Sequence, residues 1–211
     1  NIGGGQFHRA EKETGLDMPM LPMGSNFGDL TNDGFPDLYL GTGDPDFSTI
    51  VPNLLISNEN GRFHDRTVAS RLGHLQKGHA VSFADFDRDG DLDIFEQMGG
   101  AYRVDPFYDA LFENPGTNAP WISIALRGKT SNRFGVGCRV RVVGTAPDGK
   151  QLSFYQWMNS GGSFGANPLE LHFGLGGAIG VEQIEVFWPA TNRVQVVDQV
   201  EMNRRIVIEE E

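Results

Sequence analysis

Short runs of alternating apolar and polar residues recur along the chain, separated by clusters of Gly, Pro, Asn and Asp. Asp37-Leu38-Tyr39-Leu40, Trp121-Ile122-Ser123-Ile124-Ala125-Leu126 and Cys138-Arg139-Val140-Arg141-Val142-Val143 have the two-residue period of a strand with one buried face. Leu169-Glu170-Leu171-His172-Phe173 alternates until it meets Gly174, and the run from Val181 to Trp188 is stopped by Pro189. Further strands are expected at 194–200, at 205–209 and over the glycine-led run from Gly78 to Ala84. Asn60-Gly61 between two apolar runs, and Asp148-Gly149 between 138–143 and 151–158, each signal a hairpin. The 3.6-residue period of an amphipathic helix is scarce, and 28 glycines punctuate the chain. The pattern predicts an all-β fold.

Two interruptions of the alternation carry chemistry. Asp85-Phe86-Asp87-Arg88-Asp89-Gly90-Asp91-Leu92-Asp93 places five carboxylates within nine residues. Such a density repels itself unless a cation sits among the carboxylates. Alternating oxygen donors with a turn glycine suit Ca²⁺, which takes six to eight oxygens. The side chains of Asp85, Asp87, Asp89 and Asp93 and the backbone carbonyl of Asp91 are the candidate ligands. Read on to Glu96 the stretch fits an EF-hand loop. The flanks do not: a strand leads in, and Gly99-Gly100 follows where a helix would start.

Asp29-Leu30-Thr31-Asn32-Asp33-Gly34-Phe35-Pro36-Asp37 is a second copy of the loop, 56 residues earlier (Asp29 to Asp85). The flanks keep the same offset. Gly5-Gln6-Phe7-His8 matches Gly61-Arg62-Phe63-His64, Leu16 matches Leu72, Phe27 matches Phe83, and Leu55-Ile56-Ser57-Asn58 matches Leu111-Phe112-Glu113-Asn114. A fixed period of this kind marks a stacked or radial repeat fold. Thr31 stands where the second loop has Asp87, so the first site is expected to hold calcium more weakly. The chain opens on Asn1-Ile2-Gly3, which corresponds to the middle of a repeat and suggests a fragment of a longer protein or a processed one.

Composition shifts after 114–120, and no acidic loop follows. The expected organisation is a repeat region over 1–118 and a compact β unit over 119–211. The 211 residues carry 28 acidic and 17 basic side chains, a net charge of −11. That balance disfavours nucleic acid and anionic lipid as partners. Weak acidic calcium loops suit the millimolar calcium outside cells. Cys138 is the only cysteine, so no internal disulfide framework exists, and no apolar run approaches the length of a membrane span. Met18-Pro19-Met20-Leu21-Pro22-Met23 reads as a packing connector, Gly41 to Asp46 as a surface insertion, and the aromatic stretch 101–109 as core or cap packing. His8 and His64 are repeat equivalents, and His74 and His79 have a weak zinc spacing. No nucleophile elbow or phosphate-binding glycine loop occurs, and Gly174-Leu175-Gly176-Gly177 lacks the context of a dinucleotide site.

The two loops, led by Phe27-Gly28-Asp29 and Phe83-Ala84-Asp85, resemble FG-GAP repeats, also called VCBS repeats. Ser131-Asn132-Arg133-Phe134-Gly135-Val136-Gly137, Leu171-His172-Phe173-Gly174-Leu175-Gly176 and Val186-Phe187-Trp188-Pro189 look like the ASPIC/UnbV domain that follows such repeats in cartilage acidic protein and in many bacterial secreted proteins. Cys138 and Ala190-Thr191 depart from the usual residues of that domain. The resemblance implies β-propeller blades, incomplete here, followed by a small C-terminal β domain. It implies two calcium sites, on Asp85, Asp87, Asp89, Asp91 and Asp93 and on Asp29, Thr31, Asp33, Phe35 and Asp37. Two loops close no ring, so further blades lie upstream or come from another chain. The function expected is a secreted or periplasmic, non-catalytic binding or scaffold module for a protein or glycan ligand. The alternatives are an accessory region of a secreted polysaccharide-acting enzyme and a subunit that completes a propeller with a partner chain.

Overall fold

The structure, a computed structural model, describes residues 3–44, 46, 48–100, 102–104, 106–162 and 164–211. Asn1 and Ile2 of the chain opening, Pro45 of the surface insertion, Phe47 beside it, and Ala101 and Asp105 of the aromatic stretch lie outside the described residues, as does Ser163. The first blade is the meander β1 (Pro22–Gly28), β2 (Asp37–Thr42), β3 (Leu54–Glu59) and β4 (Arg62–Asp65). The second is β5 (Gly78–Ala84), β6 (Asp93–Met98) and β7 (Ala110–Phe112), with three strands among the described residues instead of four. Single helical turns, α1 (Glu11–Thr14) and α2 (Thr67–Ser70), precede the two blades.

The 56-residue period governs the backbone in detail. Pro22 pairs with Thr42 and Gly78 with Met98; Leu38 pairs with Ile56 and Ile94 with Phe112. The register slips at the same place in each blade, after Pro22 and after Gly78. Even the left-handed positions repeat: Asn32 and Arg88 have φ of 56° and 66°, Gly34 and Gly90 of 92° and 99°. β1 therefore starts at Pro22, within the stretch expected to be a connector. A proline is tolerated there because β1 is an edge strand and Pro22 its first residue.

After β7 come β8 (Trp121–Arg127), β9 (Arg139–Thr145), β10 (Gln151–Trp157), β11 (Leu171–Gly174), β12 (Gly180–Trp188), β13 (Arg193–Asp198) and β14 (Arg204–Glu209). They form two sheets, β10-β9-β12-β13 and β11-β8-β14, and β8 with β14 is a parallel pair. The inner faces enclose one apolar cluster including Ile122, Ile124, Val140, Val142, Phe173, Ile184, Val186 and Trp188. Each such side chain stabilises the fold by about 1.5–3 kcal/mol through its burial. Two smaller clusters serve the blades. Tyr39, Leu55, Val81, Phe83, Leu92 and Ile94 form one, and Leu40, Leu54 and Ile56 the other, with Leu16, Met18, Met20 and Phe63 packed against it. The 101–109 stretch differs from its expected packing role: Val104 is 81% and Tyr108 89% exposed, while Phe107 meets the edge of the His74 ring.

The C-terminal sheets are fastened to both blades. The long connection from β10 to β11 enters the seam between β1 and β5. There the Val81 N–H donates to the Phe164 carbonyl, and the Asn167 carboxamide accepts from Asn26 Nδ2 and the Phe83 N–H and donates to the Phe27 carbonyl. At the loop end, Trp121 rests on Gly90. A Cβ at position 90 would lie 2.0 Å from the indole, so only glycine fits there, apart from its positive φ.

Candidate functional site

Each acidic loop leaves one strand and returns in the next, so a tight turn must be held by its own side chains. The first aspartate does this by accepting backbone N–H groups across the turn. Asp29 accepts from Asp33 and Gly34, and Asp85 from Gly90. The last aspartate ties the loop to the following strand. Asp37 accepts from the N–H groups of Leu30 and Asn58, and Asp93 from those of Phe86 and Asn114, the same pair shifted by 56. The middle position makes a local turn: the Phe35 N–H donates to Asp33, and the Asp91 N–H to Asp89.

These bonds do not use all the oxygens of the second loop. Asp85, Asp87 and Asp89 each offer a carboxylate oxygen, and the three lie within 4.8 Å of one another. Asp85 Oδ1 is buried and has no hydrogen-bond partner. A buried acceptor without a donor is costly, and burial together with Asp89 and Asp87 raises the Asp85 pKa. A hard divalent cation satisfies such a donor set, so the residues present fit the ion expected there.

In the first loop Thr31 replaces the middle carboxylate. Burial and the neighbouring charges of Asp33 and Asp37 push Asp29 up to about 7. Asp37 rises to about 6, again through burial first and then the charges of Asp33 and Glu59. Phe35, 38% exposed, has no side-chain oxygen, so its backbone carbonyl is the only ligand it can offer.

Asp91 separates its two oxygen sources by role. Its carboxylate is buried and accepts from Asn32 Nδ2 at 2.8 Å, from the Thr117 N–H at 3.1 Å and from Thr117 Oγ1 at 3.2 Å. Its backbone carbonyl remains the candidate ligand. Asn32 also donates to the Gly90 carbonyl, so both its amide hydrogens are spent on loop two. Its Oδ1 lies 2.7 Å from His172 Nε2, which must then carry the proton. Burial lowers the His172 pKa to about 4, keeping the ring neutral. The ring stacks on Trp121 at 5.7 Å between centroids. The two loops and the C-terminal sheets thus meet at one buried node, Asn32–Asp91–His172.

Beside this node lies a cleft of about 960 Å³. Phe27, Tyr155 and Trp157 line it with half-exposed rings, and Arg88, Glu170 and Gln156 add polar groups. The histidines singled out by spacing have other partners. His79 Nε2 contacts the Gly99 carbonyl, and His74 Nδ1 accepts from the Gln76 N–H. Burial raises the Cys138 thiol to about 11, the opposite of an activated thiolate.

Sequence reasoning missed Asn32, Thr117, Asn167, His172 and Trp121. The match of Asn58 to Asn114 was a usable signal, since both Asn side chains donate to carbonyls of the preceding loop. The others act across sequence separations of up to 141 residues, and no periodicity marks them.

Residues 29–96 match the family described as FG-GAP-like repeat, and residues 128–211 match the family described as ASPIC and UnbV. No curated protein matches the chain.

Proposed function

We propose that this chain, an FG-GAP-like repeat region joined to an ASPIC and UnbV region, is a calcium-dependent, non-catalytic binding module that works outside the cytoplasm. The observation that carries the reading is the unpartnered buried oxygen of Asp85 beside Asp87 and Asp89. Asp85, Asp87, Asp89 and Asp93, with the Asp91 carbonyl, would hold one ion. Asp29, Thr31, Asp33, Asp37 and the Phe35 carbonyl would hold a second, weaker one. Calcium supplies positive charge that lets the carboxylates pack as anions, so its binding adds to folding stability. The reading takes 1–118 as the repeat region and 119–211 as the C-terminal unit, and the Thr117 contact to Asp91, which keeps that residue with the second loop, supports it. The 960 Å³ cleft, with aromatic faces beside polar groups, is the place for a protein or glycan ligand.

Excess chelator is expected to lower the melting temperature, and added calcium to restore it, by scanning calorimetry. An unchanged melt would remove the proposed role of the ion. No helix among the described residues is long and apolar enough to cross a membrane. The three-stranded second blade supports a second reading, a subunit whose sheet is completed by another chain.

A further inference from the structure

The cleft beside the node is lined by polar side chains that are held at one end and open at the other. Gln156 Nε2 donates to the His172 carbonyl, which fixes the amide and leaves Oε1 without a hydrogen bond among the described residues. Asn203 Oδ1 accepts from the Trp121 N–H at 3.1 Å, and its Nδ2 is open in the same way. Arg205 is held through Nε, which donates to both oxygens of Glu170, and its two Nη groups carry no bond among the described residues. The Ser123 hydroxyl braces Glu170 in turn at 2.7 Å. These groups are oriented before any ligand arrives, which lowers the cost of binding.

Aromatic rings stand beside them. Tyr155 and Trp157 are two residues apart on β10, so both project from one face of the strand. They are 48% and 57% exposed, and both line the cleft. The Arg141 guanidinium lies over the Tyr155 ring at 5.7 Å and is itself paired with Glu185, so that ring is braced. Among the described residues, neither the Tyr155 hydroxyl nor Trp157 Nε1 has a hydrogen-bond partner.

Charge narrows the ligand. Asp29 and Asp85 line the cleft, but each accepts a backbone N–H of its own loop. Arg205 is paired with Glu170 and Arg204 with Glu201. Arg88 is the one lining arginine without an ion pair among the described residues. The chain carries a net charge of −11, yet the cleft shows neither that excess nor its opposite. A strongly charged ligand has little to pair with there. A ligand with an apolar face and a rim of hydroxyls meets the whole lining. Its face stacks on a ring, and its hydroxyls, which both donate and accept, match the open Gln156 acceptor and the open Asn203 and Arg205 donors.

Resting on the reading of this cleft as a ligand site, we infer that it takes a neutral oligosaccharide. Sugar rings stack on Trp157 and Tyr155, and their hydroxyls bond Gln156, Asn203 and Arg205. The lining runs from Asn26 to Arg205 and uses neither end of the chain.

The test uses the 211-residue chain in excess calcium. Neutral hexasaccharides of glucose, xylose, mannose and N-acetylglucosamine are titrated by calorimetry, beside an oligogalacturonate and a proline-rich peptide. At least one neutral hexasaccharide is expected to bind. Trp157→Ala, at an exposed position, should weaken it about tenfold at an unchanged melting temperature, and Trp157→Phe should restore most of the loss. No binding of any neutral hexasaccharide, or equal binding by Trp157→Ala, would overturn the inference. Binding of the oligogalacturonate or the peptide alone, lost in Trp157→Ala, would overturn the neutral sugar and leave the cleft as a ligand site. The role of calcium is read separately, from the melt in chelator.

Discussion

At the scale of single residues, Glu96 shows how one substitution within a repeat creates a titrating group. Blade one has Leu40 in the same place. Glu96 is fully buried, and burial raises its pKa to about 7. The Tyr39 hydroxyl lies 3.0 Å from both Glu96 Oε2 and the Leu72 carbonyl. One hydroxyl proton serves one acceptor, so the Glu96 carboxyl must bring its own proton to make both contacts. Between about pH 4.5 and 7 the folded protein keeps a proton that the unfolded chain has lost. Stability present below that window is lost as pH rises through it, by roughly 3 kcal/mol. Glu96→Gln is expected to flatten denaturant midpoints across that range relative to the parent; an identical pH profile would refute a protonated Glu96. At the same scale, Asp85→Ala should remove the tighter calcium site and Asp29→Ala the weaker one. Titration calorimetry giving the reverse order would show that the missing carboxylate at Thr31 does not matter.

At the scale of elements, the loops are shaped as much by what packs on them as by their own sequence. Gly90 needs a positive φ, and it also lies under the Trp121 indole. Gly174 in β11 approaches loop one so closely that a Cβ would fall 2.0 Å from Asp29 Oδ2. Gly90→Ala combines backbone strain with overlap against a ring and is expected to destabilise by about 1–3 kcal/mol. Gly149→Ala, at a positive φ with open space around it, should cost less. Equal losses for the two in chemical denaturation would mean that the Trp121 contact is unimportant. The strands themselves were legible: the alternation of 121–126 and 138–143, the hairpin turns and the 56-residue repeat all recur as elements. The beginning of β1 was not, because Pro22 reads as a breaker until it is seen at a sheet edge.

At the scale of the molecule, the apolar clusters of the blades and of the C-terminal sheets are separate, but the polar seam between them is continuous. Asn167 bridges β1 and β5 to the β10–β11 connection through three hydrogen bonds. Asn26 Nδ2, which donates to Asn167, also donates to the Val81 carbonyl. Such a seam should make the chain melt as one unit. Calorimetry of the parent in calcium is expected to give a single transition. Asn167→Ala, which removes two part-buried hydrogen bonds and one exposed one, should lower it and separate the C-terminal unit as a later step. Two transitions already in the parent would show that the seam couples little.

The sequence by itself determined the strands, the repeat and the identity of the acidic loops. Those features are local, written in a two-residue period, in turn glycines and in carboxylates a few positions apart. Only the tertiary structure decided which oxygens are already spent. The Asp91 carboxylate goes to Asn32 and Thr117, while an oxygen of Asp85 stays unpartnered. It likewise decided that Asn32, His172 and Trp121 form one node and that, among the described residues, no strand pairs with the outer edge of β7. The reason is physical: hydrogen-bond satisfaction and edge pairing depend on which distant segments arrive beside a group, and the period of a strand carries no record of its neighbours.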